Sequence, residues 1–177
     1  MERACVAEDR TAAAQARTEA MVSQYQTQVA RYLRRMVGDA EVALDLSQEV
    51  FLSAFRMLAA DPARELTAGW LYRAATNRAI SHLRRTKILR MVQLDRDLDL
   101  QHWRIDERSA ASVDLQAAVA RLPADQAAAL LLTSYAGYAS AEAAEILGTT
   151  ADAVRQRVCR AMRVLRKAMT DDYYDVR

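Results

Sequence analysis

The chain is short of the residues that build turns, staples and metal sites. Four glycines and two prolines in 177 residues leave little material for tight turns, which argues against a β-rich fold and for helices. Its two cysteines, Cys5 and Cys159, lie far apart in unlike contexts, and its two histidines, His82 and His102, stand alone. No metal-ligand spacing and no disulfide follow from these, and reduced thiols fit a cytoplasmic protein. The longest apolar run, residues 127–132, is far too short to span a bilayer. Acidic residues come early at the N-terminus with no apolar segment behind them, so neither a signal peptide nor direct membrane insertion is expected. A Gly-rich phosphate loop, a Ser-His-Asp set and paired carboxylates in an apolar context are all missing. The reading is of a protein that is not an enzyme and needs no cofactor.

What is present centres on residues 140–167, SAEAAEILGTTADAVRQRVCRAMRVLRK. Ser140 can cap a short helix, Ala144 is small where helices approach, and Gly148 can take the positive φ that ends it. Thr149, Thr150 or Asp152 can cap the next helix. There Val154, Val158, Ala161 and Leu165 form one apolar seam, with Asp152, Arg155, Gln156, Cys159, Arg160 and Arg163 opposite. From Ala153 to Thr170 there are six basic residues and no acidic one. That is the pattern of a helix-turn-helix whose second helix lies in a DNA major groove. An ordinary helical hairpin with a solvated basic face is the plainer alternative.

Upstream, residues 1–20 are rich in Ala, Glu, Arg and Thr and predict a flexible, weakly helical extension. Val29, Leu33, Met36 and Val37 form an apolar stripe that Gly38-Asp39 breaks. A second helix over 40–59 carries Leu46, Val50, Ala54 and Leu58 at i+4 spacing, with Phe51 and Phe55 beside them. Asp45, Gln48, Glu49 and Leu52 fall on its other face, where a leucine among acids and amides marks either a protein contact or a solvated surface. A loop from Asp61-Pro62 to Gly69 precedes a third helix over 70–87. Between Leu66 and Leu94 no carboxylate occurs, while Arg73, Arg78, Arg84, Arg85, Lys87 and Arg90 are all positive. With Trp70, Tyr72 and Asn77 this block offers phosphate contacts, stacking and base-edge reading together. Its buried side should take Leu71 and part of Trp70. Residues 91–112, where Asp95, Asp97 and Asp99 alternate with Arg96 and leucines, sustain no helical face and read as an acidic linker. Leu115, Val119 and Leu122 open a second domain over 113–170; Pro123 starts its next helix, and an acidic tail follows at 171–177. The expected fold is all-α: two small helical domains joined by a flexible linker, the second a helix-turn-helix domain.

Four stretches together resemble the extracytoplasmic-function sigma factors of bacterial RNA polymerase. GDAEVALDLSQEVFLSAFRML is similar to the family's core-polymerase-binding helix. WLYRAATNRAISHLRR resembles its promoter-melting, −10-reading helix. LQAAVARLPADQAAALLL and GYASAEAAEILGTTADAVRQRVCRAMRVLR resemble its fourth conserved region with the −35-reading helix-turn-helix. The resemblance implies that Asp45, Leu46, Gln48, Glu49, Phe51 and Leu52 of a region-2-like domain (21–90) dock on the β′ clamp helices of core RNA polymerase. It implies −10 contacts from Trp70, Arg73, Asn77, Arg78, Arg84 and Arg85, with the 61–69 loop receiving an unstacked base. It further implies −35 contacts from Arg155, Gln156, Arg157, Arg160 and Arg163, promoter DNA as ligand, and an anti-sigma factor as regulator. Ser81, the Arg155-Gln156 pair and Ala127 or Ala128 depart from the family's usual residues, so the promoter sequence itself is not legible. An autonomous helix-turn-helix regulator and a sigma-mimicking adaptor are the competing readings.

Overall fold

A computed structural model describes residues 2–93, 115 and 117–174, and all regular structure among the described residues is helical. Helix α1 spans Glu2–Val37, α2 Ala40–Ala60 and α3 Ala68–Gln93. In the second half, α4 (Ala124–Leu130) runs on into a π-helical turn, Leu131–Tyr135. The helix-turn-helix follows as α5 (Ser140–Leu147) and α6 (Ala151–Tyr174). Most of the linker expected at 91–112 lies outside the described residues, and of the expected tail, residues 171–174 continue α6.

Local chemistry sets these boundaries. Gly38 at φ +82° ends α1, its N–H bonded to the Arg34 carbonyl at 2.8 Å. Asp39 caps α2 by accepting the Val42 N–H at 3.0 Å. Asp61 is extended, as a residue before proline prefers, and α2 stops there. Thr67 caps α3 through its hydroxyl, which accepts the Trp70 N–H at 3.3 Å, so α3 begins earlier than the loop expectation allowed. Gly148 ends α5 at φ +63°, and Thr150 is the residue that caps α6, accepting the Ala153 N–H at 3.2 Å. Ser140 is not a cap. It stands inside the first turn, and the Glu142 carboxylate accepts the Ala139 N–H at 2.7 Å in its place.

Residues 10–20, expected as part of a loose extension, are the first half of α1 and pack antiparallel along α2. Ala14 is fully buried there, and Arg10 donates to the Ala60 carbonyl at the far end of α2. Alanine-rich sequence favours helix and lets helices approach closely. Above this hairpin α3 completes a three-helix core of Tyr32, Leu33, Met36, Val50, Leu71, Tyr72 and Ala75. The second half is built on Ala127–Leu132, Ala143, Ile146, Val154, Ala161 and Leu165, the seam expected for α6 included. These two sets form one continuous apolar cluster. The halves are packed together.

Candidate nucleic-acid interface

On α2, residues Leu44, Asp45, Gln48, Glu49 and Leu52 face outward, the two leucines 45% and 47% exposed. Leu44, Gln48 and Leu52 make one i+4 row, and Asp45 with Glu49 the adjacent one. Leu44 was not singled out in sequence, although the same spacing contains it. Leu46 and Phe51 turn inward, at 8% and 7% exposure, because they share the core row with Val50 and Ala54. They support the outward face from behind and do not form it. Beside this face lies an open groove of about 310 Å³, lined by Thr18, Val22 and Gln26 of α1 and by Ser47, Gln48, Phe51, Leu52 and Phe55 of α2. Of the α1 residues, Thr18 falls within 1–20, the segment expected as an extension.

On α3, the buried row Leu71, Tyr72, Ala75, Thr76 and Ala79 turns Asn77, Arg84 and Arg85 outward. Trp70 is half-buried, packed on the core by part of its surface. Arg78 is held by α2: its Nε meets the Glu49 carboxylate at 3.3 Å, and it also donates to the Ser53 hydroxyl. A residue expected at polymerase and one expected at DNA therefore pair with each other. Arg73 reaches into the second half, donating from Nε to the Ile146 carbonyl at 3.0 Å and from Nη2 to the Glu145 carbonyl. Those carbonyls end α5, where a cation is favoured by the helix dipole.

The α6 surface keeps Arg155, Gln156, Arg160 and Arg163 exposed on one side. Residues 155 to 163 span about 12 Å of helix at 1.5 Å per residue, comparable to the width of a B-DNA major groove. Arg155 pairs with Asp152 one turn earlier in the same helix. Arg157 turns the other way, its Nε 3.3 Å from the Asp125 carboxylate of α4. It ties the second helix of the helix-turn-helix to α4.

The Tyr72 ring meets Tyr32 of its own half edge-to-face at 5.1 Å and, across to the second half, Tyr138 edge-to-face at 5.4 Å between centroids. The Thr76 hydroxyl donates to the Tyr72 carbonyl, so at 2.7 Å it accepts from the Tyr32 hydroxyl. Burial pushes the Tyr72 hydroxyl up to about 12, and raises those of Tyr32 and Tyr138 as well. At the end of the π-helical turn the Arg35 guanidinium lies 4.0 Å over the Tyr135 ring. Ile146 sits against Gly69, where even an added Cβ would only touch it, at 3.6 Å.

Comparison with known proteins follows the same division. Residues 21–88 match the model of sigma-70 region 2, and residues 112–165 that of sigma-70 region 4. The RNA polymerase sigma-H factor of Pseudomonas aeruginosa is 30% identical, over 84% of each chain. An ECF RNA polymerase sigma factor, SigE of Mycolicibacterium smegmatis, is 32% identical over 82% of this chain. The chain belongs to the extracytoplasmic-function sigma factors. It spans 59% of the length of SigE. In fold it is similar to the sigma factor RpoE of Bartonella quintana, solved in complex with the anti-sigma factor NepR. That match has a TM-score of 0.70 at 19% identity and covers 86% of this chain and 96% of that one. No helix among the described residues of this sigma factor is long and apolar enough to cross a membrane.

Proposed function

We propose that this chain is an alternative sigma factor and not an enzyme: a subunit that binds core RNA polymerase and directs it to specific promoters. One observation carries the reading, the segregation of exposed charge. Acid and leucine lie together on α2 (Leu44, Asp45, Gln48, Glu49, Leu52), while α3 and α6 present Asn77, Arg84, Arg85, Gln156, Arg160 and Arg163. The α2 stripe and its groove dock on the β′ clamp helices. The outward face of α3 holds the opened −10 strand through phosphates and one amide that matches a base edge, with the 61–67 loop receiving an unstacked base. Arg155 and Gln156, in the first turns of α6, read the −35 duplex, and Arg160 and Arg163 follow along it.

In the closed arrangement Arg73 is engaged by the second half, so it reaches DNA only when α5 leaves α3. An anti-sigma factor that holds this arrangement would keep the chain inactive; the NepR-bound neighbour of like fold supports that regulator class. The domains 21–90 and 113–170, joined through 91–112, are then the parts that separate on polymerase.

Runoff transcription with purified core polymerase over a genomic DNA library tests the whole reading. Discrete starts sharing two elements are expected, with weak duplex binding by the chain alone. Tight operator binding without polymerase would make it an autonomous regulator, and no transcripts at all would make it an adaptor.

A further inference from the structure

The first half of α1 does more than pack. Arg10, Ala14, Arg17 and Met21 recur at helical spacing on the side turned to the end of α2. Ala14 is fully buried on that side, which fixes the helix close to α2. Past it, Arg17 leaves the hairpin and grips the loop between α2 and α3. Its Nη1 donates to the Pro62 carbonyl and its Nη2 to the Arg64 carbonyl at 3.0 Å. From within, the loop is shaped by the Asp61 carboxylate, which accepts the Ala63 N–H at 3.2 Å, and by the Arg64 N–H on the Asp61 carbonyl at 3.1 Å. Thr67 then closes it onto α3. Loop residues Asp61, Ala63, Arg64 and Glu65 are exposed and have no core of their own. A planar fork that spans two carbonyls two residues apart fixes the path of the chain between them, which a lysine can do only at one point. Both partners are neutral, so the guanidinium also keeps its charge beside the loop.

We infer that residues 10–21 form a strap on the 61–67 loop, and that Arg17 is the positioning residue that holds this loop in the shape that admits the unstacked −10 base. The inference rests on the reading of that loop given above. It makes the N-terminal segment part of promoter opening and base selection, with no contact to DNA required of it.

The test uses full-length chain assembled with core polymerase on forked templates that vary each −10 base singly. Three variants are compared with the parent: Arg17→Ala, Arg17→Lys, and a loop variant with Arg64→Ala and Glu65→Ala. For Arg17→Ala the expected result is unchanged core affinity and a roughly three- to tenfold loss of discrimination at one −10 position, the range of one or two lost hydrogen bonds. Arg17→Lys should restore part of it. If the loop variant loses discrimination and Arg17→Ala does not, the strap is wrong and the loop keeps its role. If neither variant changes base preference while promoters are still used, the loop is not the receiver and the inference falls with it. An equal loss on every template, together with a lower melting temperature, would reduce Arg17 to a structural tie and overturn the proposal. Should the alanine variant misfold, the lysine variant decides alone, by its discrimination relative to the parent.

Discussion

Tyr138→Ala is expected to open the molecule before it unfolds it. The ring is half-buried and meets Tyr72 edge-to-face at 5.4 Å. Such a pair contributes about 0.5–1.5 kcal/mol beyond area burial. Roughly 100 Å² of lost apolar contact adds about 2.5 kcal/mol at the usual area coefficient. Global stability should therefore fall by roughly 2–4 kcal/mol. About 1 kcal/mol, the aromatic pair, falls on closure alone, which shifts the closed-to-open ratio roughly fivefold. The Arg73 bonds to α5 and the Arg35–Tyr135 contact remain, so closure weakens and is not abolished. Time-resolved energy transfer reads this, with one dye on the exposed Cys159 of α6 and another at Arg56→Cys on α2, in a Cys5→Ser background. A growing population of longer distances is expected well below the melting temperature. An unchanged distance distribution beside a fully lowered melting temperature would refute the reasoning, because Tyr138 would then serve only its own half.

Charge reversal at Asp45 and Glu49 should weaken association with core polymerase. The change breaks the partly exposed Glu49–Arg78 pair, so stability should change by less than about 1 kcal/mol; a large melting shift with intact core binding would make those side chains structural. On α6, Arg155→Ala should cost about 1–3 kcal/mol and relax preference at one or two base pairs of the −35 element. Arg163→Ala should weaken binding evenly and lower the salt slope by about one contact, as a panel of single-base promoters at two salt concentrations would show. Tyr72 is held up to about 12 against an ordinary value of 10.0. The fold therefore favours its neutral form, and this stabilisation, complete below pH 10, is lost as pH climbs from 10 towards 12. Phenolate absorbance during an alkaline titration should show that delay, and a smaller delay in Tyr138→Ala, since burial against the first-half core remains.

The helices were legible wherever periodicity and punctuation agreed. Gly38-Asp39, Asp61-Pro62 and Gly148 end or start helices as their backbone chemistry requires. The apolar seam of α6 was readable because one helix period covers it, from Val154 to Leu165. For Leu46 and Phe51 the periodicity was the better guide: it put them on the apolar row, where they are buried, whereas a motif groups them with docking residues because it lists neighbours in sequence that a helix separates by about 100° each. The role of residues 10–20 was hidden for a different reason. Alanine carries no hydropathy signal strong enough to mark a buried row, and Arg17 acts through backbone carbonyls that no sequence pattern displays. Arg73 and Arg157 show the same limit: a basic residue reads as a ligand for anions, and only packing reveals that a helix end or Asp125 already holds it.

The shared core has a thermal consequence. Where Tyr72 meets Tyr138 and Ile146 meets Gly69, the halves are joined largely by apolar surface. Separating them hydrates that surface, so opening carries a positive heat-capacity change. Apolar association weakens on cooling. The closed form should therefore loosen in the cold and tighten towards warmer growth temperatures. The balance between an engaged and a released Arg73 thus acquires a temperature coefficient of its own, separate from that of promoter melting.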